Sequence, residues 1–205
     1  SSDVFPFVSF FLNSFLISGI ASLCSLLLAI FGAYSFSRVR YRGRGLVQRG
    51  VLMTYMFGGV LLMVPLYQIA VKSGLAETAT GSIIVLITIY VVQTLPVSMY
   101  MLGNYFRSIP ESLEEAALID GCSRIKTILL IIIPLSLPML FTIFIYAFMI
   151  AWNEYLFASV FLKGFNEYQT LPIALKTLFV SKNAIWDRIM AASILTAIPV
   201  IILFM

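Results

Sequence analysis

Three polar side chains, Gln93, Asn153 and Glu154, interrupt or border long apolar stretches of this sequence. Polar groups are costly in hydrocarbon, and they usually face the interior of a helix bundle or a wet cavity. Amide and carboxylate groups can bind the hydroxyl groups of a polar solute, and an aromatic side chain such as Trp152 can cover its apolar face. Gln93 and Asn153 are therefore candidates to line a path, with Glu154 at its outer mouth. The alternative is that Gln93 bonds a neighbouring helix, while Glu154 pairs with a basic group at the membrane interface.

Residue types that catalysis and metal binding require are scarce. The sequence has no histidine to act as a general base, and its two cysteines lack metal-ligand spacing. Cys24 lies in an apolar run and Cys122 in a polar loop, so we expect no disulfide between them. The sequence also lacks a G-x-x-x-x-G-K-S/T phosphate loop. We therefore expect no catalytic residue, no metal and no cofactor in this chain, which disfavours a membrane-embedded enzyme.

The overall composition is that of a membrane protein. Of the 205 residues, 61% are hydrophobic and only 11% are charged, and the mean hydropathy is +1.03. A soluble domain is about half apolar and about a quarter charged. This composition excludes a soluble enzyme, a disordered chain and a nucleic-acid-binding domain.

Long runs without charged residues predict the spanning helices. About 20 apolar residues, rising about 1.5 Å each, cross a hydrocarbon core of about 30 Å. The predicted helices lie at 10–37, 50–71, 81–103, 129–152 and 188–205. We therefore expect one all-α transmembrane bundle over residues 1–205 with five visible spans. The chain starts without an initiator methionine and stops within an apolar run, so we expect it to be truncated at both ends.

The segment 38–49, after the first predicted span, is basic and contains no acidic residue. Its basic residues are Arg38, Arg40, Arg42, Arg44 and Arg49. By the positive-inside rule this segment is cytoplasmic. Alternation of the spans then places the segment 104–128, called the inner loop below, in the cytoplasm and the segment 162–187 outside. We therefore expect a multi-pass protein of the cell (inner) membrane.

The inner loop has the signals of two short helices. Ser108 and Glu111 have the spacing of a capping box at the start of a helix. Gly121 can adopt the left-handed conformation that ends one, and Ser123 can then cap a second helix. A solvated surface helix with no particular role is the alternative interpretation.

The inner loop also carries a longer motif. Glu115-Ala116-Ala117, Gly121, Ile131 and Ile133-Pro134 have a spacing that resembles the EAA-x3-G-x9-I-x-L-P signature of ABC importer permeases. The departure is Ile133, where that family has leucine, and it changes the shape of the side chain but not its polarity.

Flanking segments are similar to the carbohydrate-uptake branch of that family, in particular the smaller permease of maltose-type systems. These segments are Phe106–Pro110, Ile119-Asp120-Gly121, Arg38–Arg44 and Trp152–Tyr155.

The resemblance implies a six-helix permease half with a cytoplasmic coupling helix. Residues Glu115, Ala116, Ala117, Asp120 and Gly121 would contact an ATPase subunit. The partners implied are a second permease subunit, two cytoplasmic ATPase subunits that use ATP and Mg, and an external solute-binding protein. The expected activity is import of sugars or oligosaccharides by alternating access.

An ion-gradient-driven secondary transporter or a channel is the alternative function. Its membrane composition would be the same, but such proteins often place ionisable groups within their spans to bind the coupling ion. The four complete apolar runs of this sequence contain none.

Overall fold

The computed structural model describes residues 6–39, 42–56, 59–180 and 186–204, and within these ranges the chain is nearly all helical, with no β-strand. The α-helices are α1 (Phe7–Arg38), α2 (Arg44–Met56), α3 (Gly59–Lys72), α4 (Ala79–Ser108), α5 (Glu111–Ile119), α6 (Arg124–Thr127), α7 (Ile133–Leu135), α8 (Leu137–Trp152), α9 (Leu156–Phe161), α10 (Leu171–Val180) and α11 (Trp186–Phe204). Single 3₁₀ turns lie at Leu75–Glu77 and Asn166–Tyr168, and a π-helical segment lies at Ile128–Ile132.

Helices α1 and α4 form the centre of the bundle. The face that α1 buries is made largely of small side chains, among them Ser18, Ser22 and Ser25. Small residues allow two helices to approach closely within a membrane, and here the Thr94 hydroxyl donates a 2.8 Å hydrogen bond to the Ser25 hydroxyl. The close packing gives the rest of the fold a rigid two-helix support.

Helix α8 packs against both central helices. Ile143 of α8 and Ile132 of the preceding π-helical segment are fully buried, and they join Leu102 and Phe106 of α4 in one apolar cluster. This cluster lies at the end of α4 that leads into the inner loop, so it fixes where that loop leaves the bundle.

Among the described residues, α1 and α4 are long and apolar enough to cross a membrane. The paired segments Arg124–Leu135 and Leu137–Trp152 would make a third span if counted together. The stretches Leu61–Lys72 and Ile189–Phe204 are apolar but shorter. The helices predicted at 10–37 and 81–103 are confirmed, but the count of five spans is not.

The prediction of one continuous helix over 129–152 is wrong. The two segments that make it up are bent by 83° at Ser136, whose backbone angles (φ −97°, ψ 4°) leave the helical region. Pro134 and Pro138 flank the bend, and neither has an N–H to donate to the helix. The freed backbone groups allow the chain to turn sharply there.

The helix predicted at 50–71 also differs. Helix starts at Arg44, inside the basic segment, and two helices, α2 and α3, replace the single one. Residues 57 and 58 between them, and Arg40 in the basic segment, lie outside the described residues.

Candidate functional site

The inner loop folds into the two predicted helices, α5 and α6, with a glycine turn between them. Gly121 has φ +83°, in the left-handed region. Its N–H donates to the Leu118 carbonyl (3.1 Å), and the Cys122 N–H donates to the Ala117 carbonyl (2.9 Å). This pair of bonds is a Schellman motif, which satisfies the last carbonyls of a helix. The Ser123 hydroxyl caps α6 by accepting from the Lys126 N–H, so both turn predictions are confirmed.

The predicted capping box at the start of α5 is wrong. Helix α4 continues through Ser108, whose hydroxyl donates to the Tyr105 carbonyl (2.7 Å) and is not available to α5. Pro110 occupies the N-cap position, and Glu111 begins the helix.

A buried ion pair connects α5 to the end of α1. Arg38 Nε lies 2.7 Å from Glu114 Oε1, and the side chains of these residues are only 6% and 11% exposed. The Tyr34 hydroxyl donates a 2.8 Å hydrogen bond to the other oxygen of Glu114. Arg38 Nη1 lies 3.2 Å from Glu111 Oε1, which is mostly exposed. We call these four residues the Arg38 anchor.

The same guanidinium also binds the end of α4. Arg38 Nη2 donates to the Phe106 carbonyl (2.8 Å) and to the Ile109 carbonyl. These carbonyls lie at the C-terminus of α4, where the helix dipole favours a positive charge. A single side chain thus holds together the ends of α1 and α4 and the first turns of α5.

The anchor determines which face of α5 is presented outward. Glu114 and Ala117 face the protein and are buried, whereas Glu115, Ala116 and Asp120 are exposed. Of the residues predicted to contact a partner, Ala117 is therefore turned inward. The arrangement leaves one face of a short helix exposed and attaches the helix to the ends of α1 and α4.

Sequence reasoning did not identify the anchor. In the sequence, Arg38 indicates topology and belongs to one of the segments that carry the family resemblance, whereas Glu114 has no assigned role. Because the two residues lie on separate helices far apart in the chain, no spacing rule connects them. The only available signal was an arginine at the inner end of an apolar run.

Gln93 lies in a cleft between α2, α3, α4, α8 and α9. The cleft has a volume of about 470 Å³. It is lined by Tyr55, Gly59, Leu62, Leu66, Thr88, Ile89, Val92, Gln93, Pro96, Tyr146, Ile150 and Phe157. We call it the Gln93 cleft. Within the described part of the chain the Gln93 amide has no hydrogen-bond partner, so the bond to a neighbouring helix considered above is not formed.

Trp152 and Asn153 lie outside this cleft. Trp152 is 1% exposed, its indole N–H donates to the Thr196 carbonyl (3.2 Å), and its ring stacks on Phe148. Asn153 is exposed, and its amide donates to the Met149 carbonyl of the preceding turn (2.9 Å).

Glu154 caps helix α9. Its carboxylate accepts hydrogen bonds from the N–H groups of Phe157 (2.8 Å) and Ala158 (3.0 Å) and from the Tyr90 hydroxyl (2.8 Å). Among the described residues, no basic group lies within ion-pair distance of it. The sequence alternative of a basic partner is therefore not what the structure shows.

Comparisons with known proteins agree with this geometry. Residues 22–205 match the family described as "Binding-protein-dependent transport system inner membrane component". The chain is 44% identical to the inner membrane ABC transporter permease protein YcjP of Escherichia coli, over 98% of this chain and 70% of that protein. It is 36% identical to the trehalose/maltose transport system permease protein MalG of Thermococcus litoralis, over 99% of this chain and 72% of that protein.

A solved structure gives the same result. The crystal structure of a bacterial ABC transporter involved in the import of the acidic polysaccharide alginate matches with a TM-score of 0.81 and 27% sequence identity. The match covers 99% of this chain and 74% of that chain. Helix length, fold and sequence similarity lead to one conclusion: this chain belongs to the binding-protein-dependent transport family of inner membrane components, the permeases of ABC transporters.

Proposed function

We propose that this chain is the membrane-spanning subunit of an ATP-driven importer that carries sugars or oligosaccharides by alternating access. The family and the named relatives support the permease role, and a relative named for trehalose and maltose supports the substrate class. Within the chain, the observation that carries the proposal is the buried Arg38–Glu114 pair, which joins α5 to the ends of both central helices.

In this proposal α5 is the coupling helix. Glu115, Ala116 and Asp120 face a cleft on an ATPase subunit, Ala117 packs the helix onto its own protein, and Gly121 makes the turn that presents it. ATP-driven closure of the ATPases moves the docked helices. Because the Arg38 anchor fixes α5 to α1 and α4, that movement is passed to the spans as a rigid-body shift. A ligand drives such a change only if it binds the two states differently.

The complex we propose contains a second permease subunit, two cytoplasmic ATPase subunits that use ATP and Mg, and an external solute-binding protein. Residues 1–205 form one transmembrane domain with five spans of a six-span subunit. The segments 38–49 and 104–128 are cytoplasmic. We place the translocation path past Gln93 and Asn153, with Trp152 and Glu154 shaping its outer end.

The orientation is tested by labelling with a reagent that does not cross the membrane. A cysteine at Gly45, which has open space around it and lies close to the left-handed Gly43, is expected to react only from the cytoplasm. A cysteine at Asn166 is expected to react only from outside. The reverse pattern would contradict the cytoplasmic placement of α5.

The function is tested by purifying the chain from its native membrane and identifying the proteins that come with it. We expect ATPase subunits to co-purify, and uptake into proteoliposomes to require ATP and to persist after ionophores dissipate ion gradients. Uptake that follows an ion gradient without ATP would support the secondary-transporter alternative instead.

A further inference from the structure

The geometry points to the Gln93 cleft as a binding subsite for an uncharged saccharide, held by Gln93 and by the hydroxyls of Tyr55 and Tyr146. This inference rests on the proposed function and adds the charge class of the substrate and the residues of this chain that contact it. The nearby residues first considered for sugar binding, Trp152 and Asn153, do not line this cleft.

The position of the cleft suits a translocation path. Gln93 lies at the middle of the 30-residue helix α4, so about 20 Å of helix separates it from either end. A membrane offers no water at that depth to satisfy a polar group. The Gln93 side chain is half-buried and lacks a partner among the described residues, so its amide is free to bind something that enters the cleft.

The backbone around Gln93 makes room for this amide. A Cβ atom at Gly59 would lie 3.0 Å from Gln93 Nε2, closer than the usual contact distance. The absence of a side chain at Gly59 therefore lets the amide face the cleft. Pro96, also in the lining, has no N–H to donate to the Val92 carbonyl one turn earlier. The cleft wall thus combines amide donors with backbone and amide acceptors.

The remaining lining residues suit the polar edge and the apolar faces of a sugar ring. Tyr55 and Tyr146 both line the cleft and add two phenol groups to its wall. Phe157 and the aliphatic side chains supply the apolar surface. A pyranose carries hydroxyls around its edge and apolar C–H groups on its faces, and sites of this kind combine apolar walls with a few placed polar groups.

The uncharged lining of the cleft determines which class of saccharide it can bind. None of the described lining residues is charged. Burying a carboxylate or sulfonate without a cationic partner is strongly unfavourable. We therefore expect a neutral saccharide at this site, unlike the acidic polysaccharide named for the structural relative.

Cysteine accessibility tests whether the cleft is wet and which sugars enter it. The variant Gln93→Cys is made in the whole importer with Cys24→Ser and Cys122→Ser, and it is treated with an uncharged, hydrophilic thiol reagent that is too polar to cross the membrane. The matched control is Leu27→Cys on the exposed apolar face of α1. We expect the thiol introduced in the cleft to react and the control thiol to stay unmodified. We also expect one or more of trehalose, maltose, sucrose and cellobiose to slow the reaction in the cleft.

Two results of this labelling experiment would overturn the inference. The first is that the reagent does not modify the Gln93→Cys variant. The second is that an acidic glucuronate disaccharide protects the introduced thiol whereas none of the neutral sugars does.

Uptake kinetics then separate this inference from the proposed function. Gln93→Leu is expected to raise the apparent KM of the protecting sugar about tenfold, because it removes one or two hydrogen bonds. Gln68→Leu, the same change on the exposed side of α3, is expected to stay within about twofold of wild type. ATP hydrolysis stimulated by the loaded binding protein should persist in wild type and in the Gln68→Leu control. Equal uptake by the two variants would overturn the subsite, whereas failure of the wild-type complex to use ATP would overturn the proposed function.

Discussion

The Arg38 anchor and the Gln93 cleft contain buried or half-buried polar groups that have opposite surroundings. At the anchor, one arginine forms ion pairs with two carboxylates, the Tyr34 hydroxyl donates to Glu114, and the Arg38 guanidinium donates to carbonyls at the end of α4. At the cleft, the Gln93 amide has no partner among the described residues, and nothing charged lines the wall.

The difference separates positioning from binding. A buried ion pair holds its helices in place, because moving one partner away leaves the other charge buried without compensation. A neutral amide without a hydrogen-bond partner holds no part of the protein in place, and it remains able to form hydrogen bonds with a bound substrate. We therefore expect changes at the anchor to affect stability and coupling, and changes at the cleft to affect substrate handling alone.

The largest effect is expected from Glu114→Ala. This change leaves the Arg38 guanidinium buried without its main partner, which typically costs about 3–5 kcal/mol. Thermal unfolding of the purified complex, followed by loss of native fluorescence, measures the effect. The double variant Arg38→Met with Glu114→Leu removes both charges and is expected to recover much of the stability without restoring coupled transport. A single variant as stable as wild type would show that the pair does not hold α5.

A smaller effect is expected from Gly121→Leu. There is open space around Gly121, so the cost comes from its left-handed backbone. That cost is about 1–2 kcal/mol for a residue with a side chain. The subunit should still insert, but α5 should be misplaced, so sugar-stimulated ATP hydrolysis and uptake should fall together. Gly19→Leu, at a helical glycine with equally open space, is the matched control and should behave as wild type.

The smallest effect is expected in a comparison of Gln93→Ala with Asn153→Ala. Both are expected to slow uptake and leave basal ATP hydrolysis and assembly nearly intact. Because Asn153 is already bonded to Met149, its loss should slow uptake less than the loss of Gln93 does. Initial rates of sugar uptake give the ranking. If complex assembly and sugar uptake fall together in either variant, the residue changed in that variant has a packing role instead.

The sequence was sufficient to predict features governed by local chemistry. The left-handed turn at Gly121 and the Ser123 cap follow from single residue types beside a helix, and the central helices follow from long apolar runs. The 83° bend at Ser136 was not predictable, because proline is tolerated in membrane helices and the sequence does not reveal whether neighbours straighten or bend them.

Features that depend on distant contacts could not be predicted. The Arg38 anchor requires helices α1, α4 and α5 to meet at one point. Likewise, Glu154 caps α9 and bonds Tyr90, a residue on another helix. The sequence identified Glu154 as a notable polar residue, but only the packing of α4 against α9 reveals what it contacts.

The most direct test of the central claim, that α5 is the docking surface, is recovery of ATPase subunits with the variant Ala116→Arg. Ala116 is exposed, so the substitution should leave the fold and membrane insertion of this chain intact. The control is Tyr168→Arg, an exposed position in the segment that we place outside. We predict that wild type and the control retain the ATPase subunits on an affinity column and that Ala116→Arg loses them. Equal recovery with all three proteins would contradict the account.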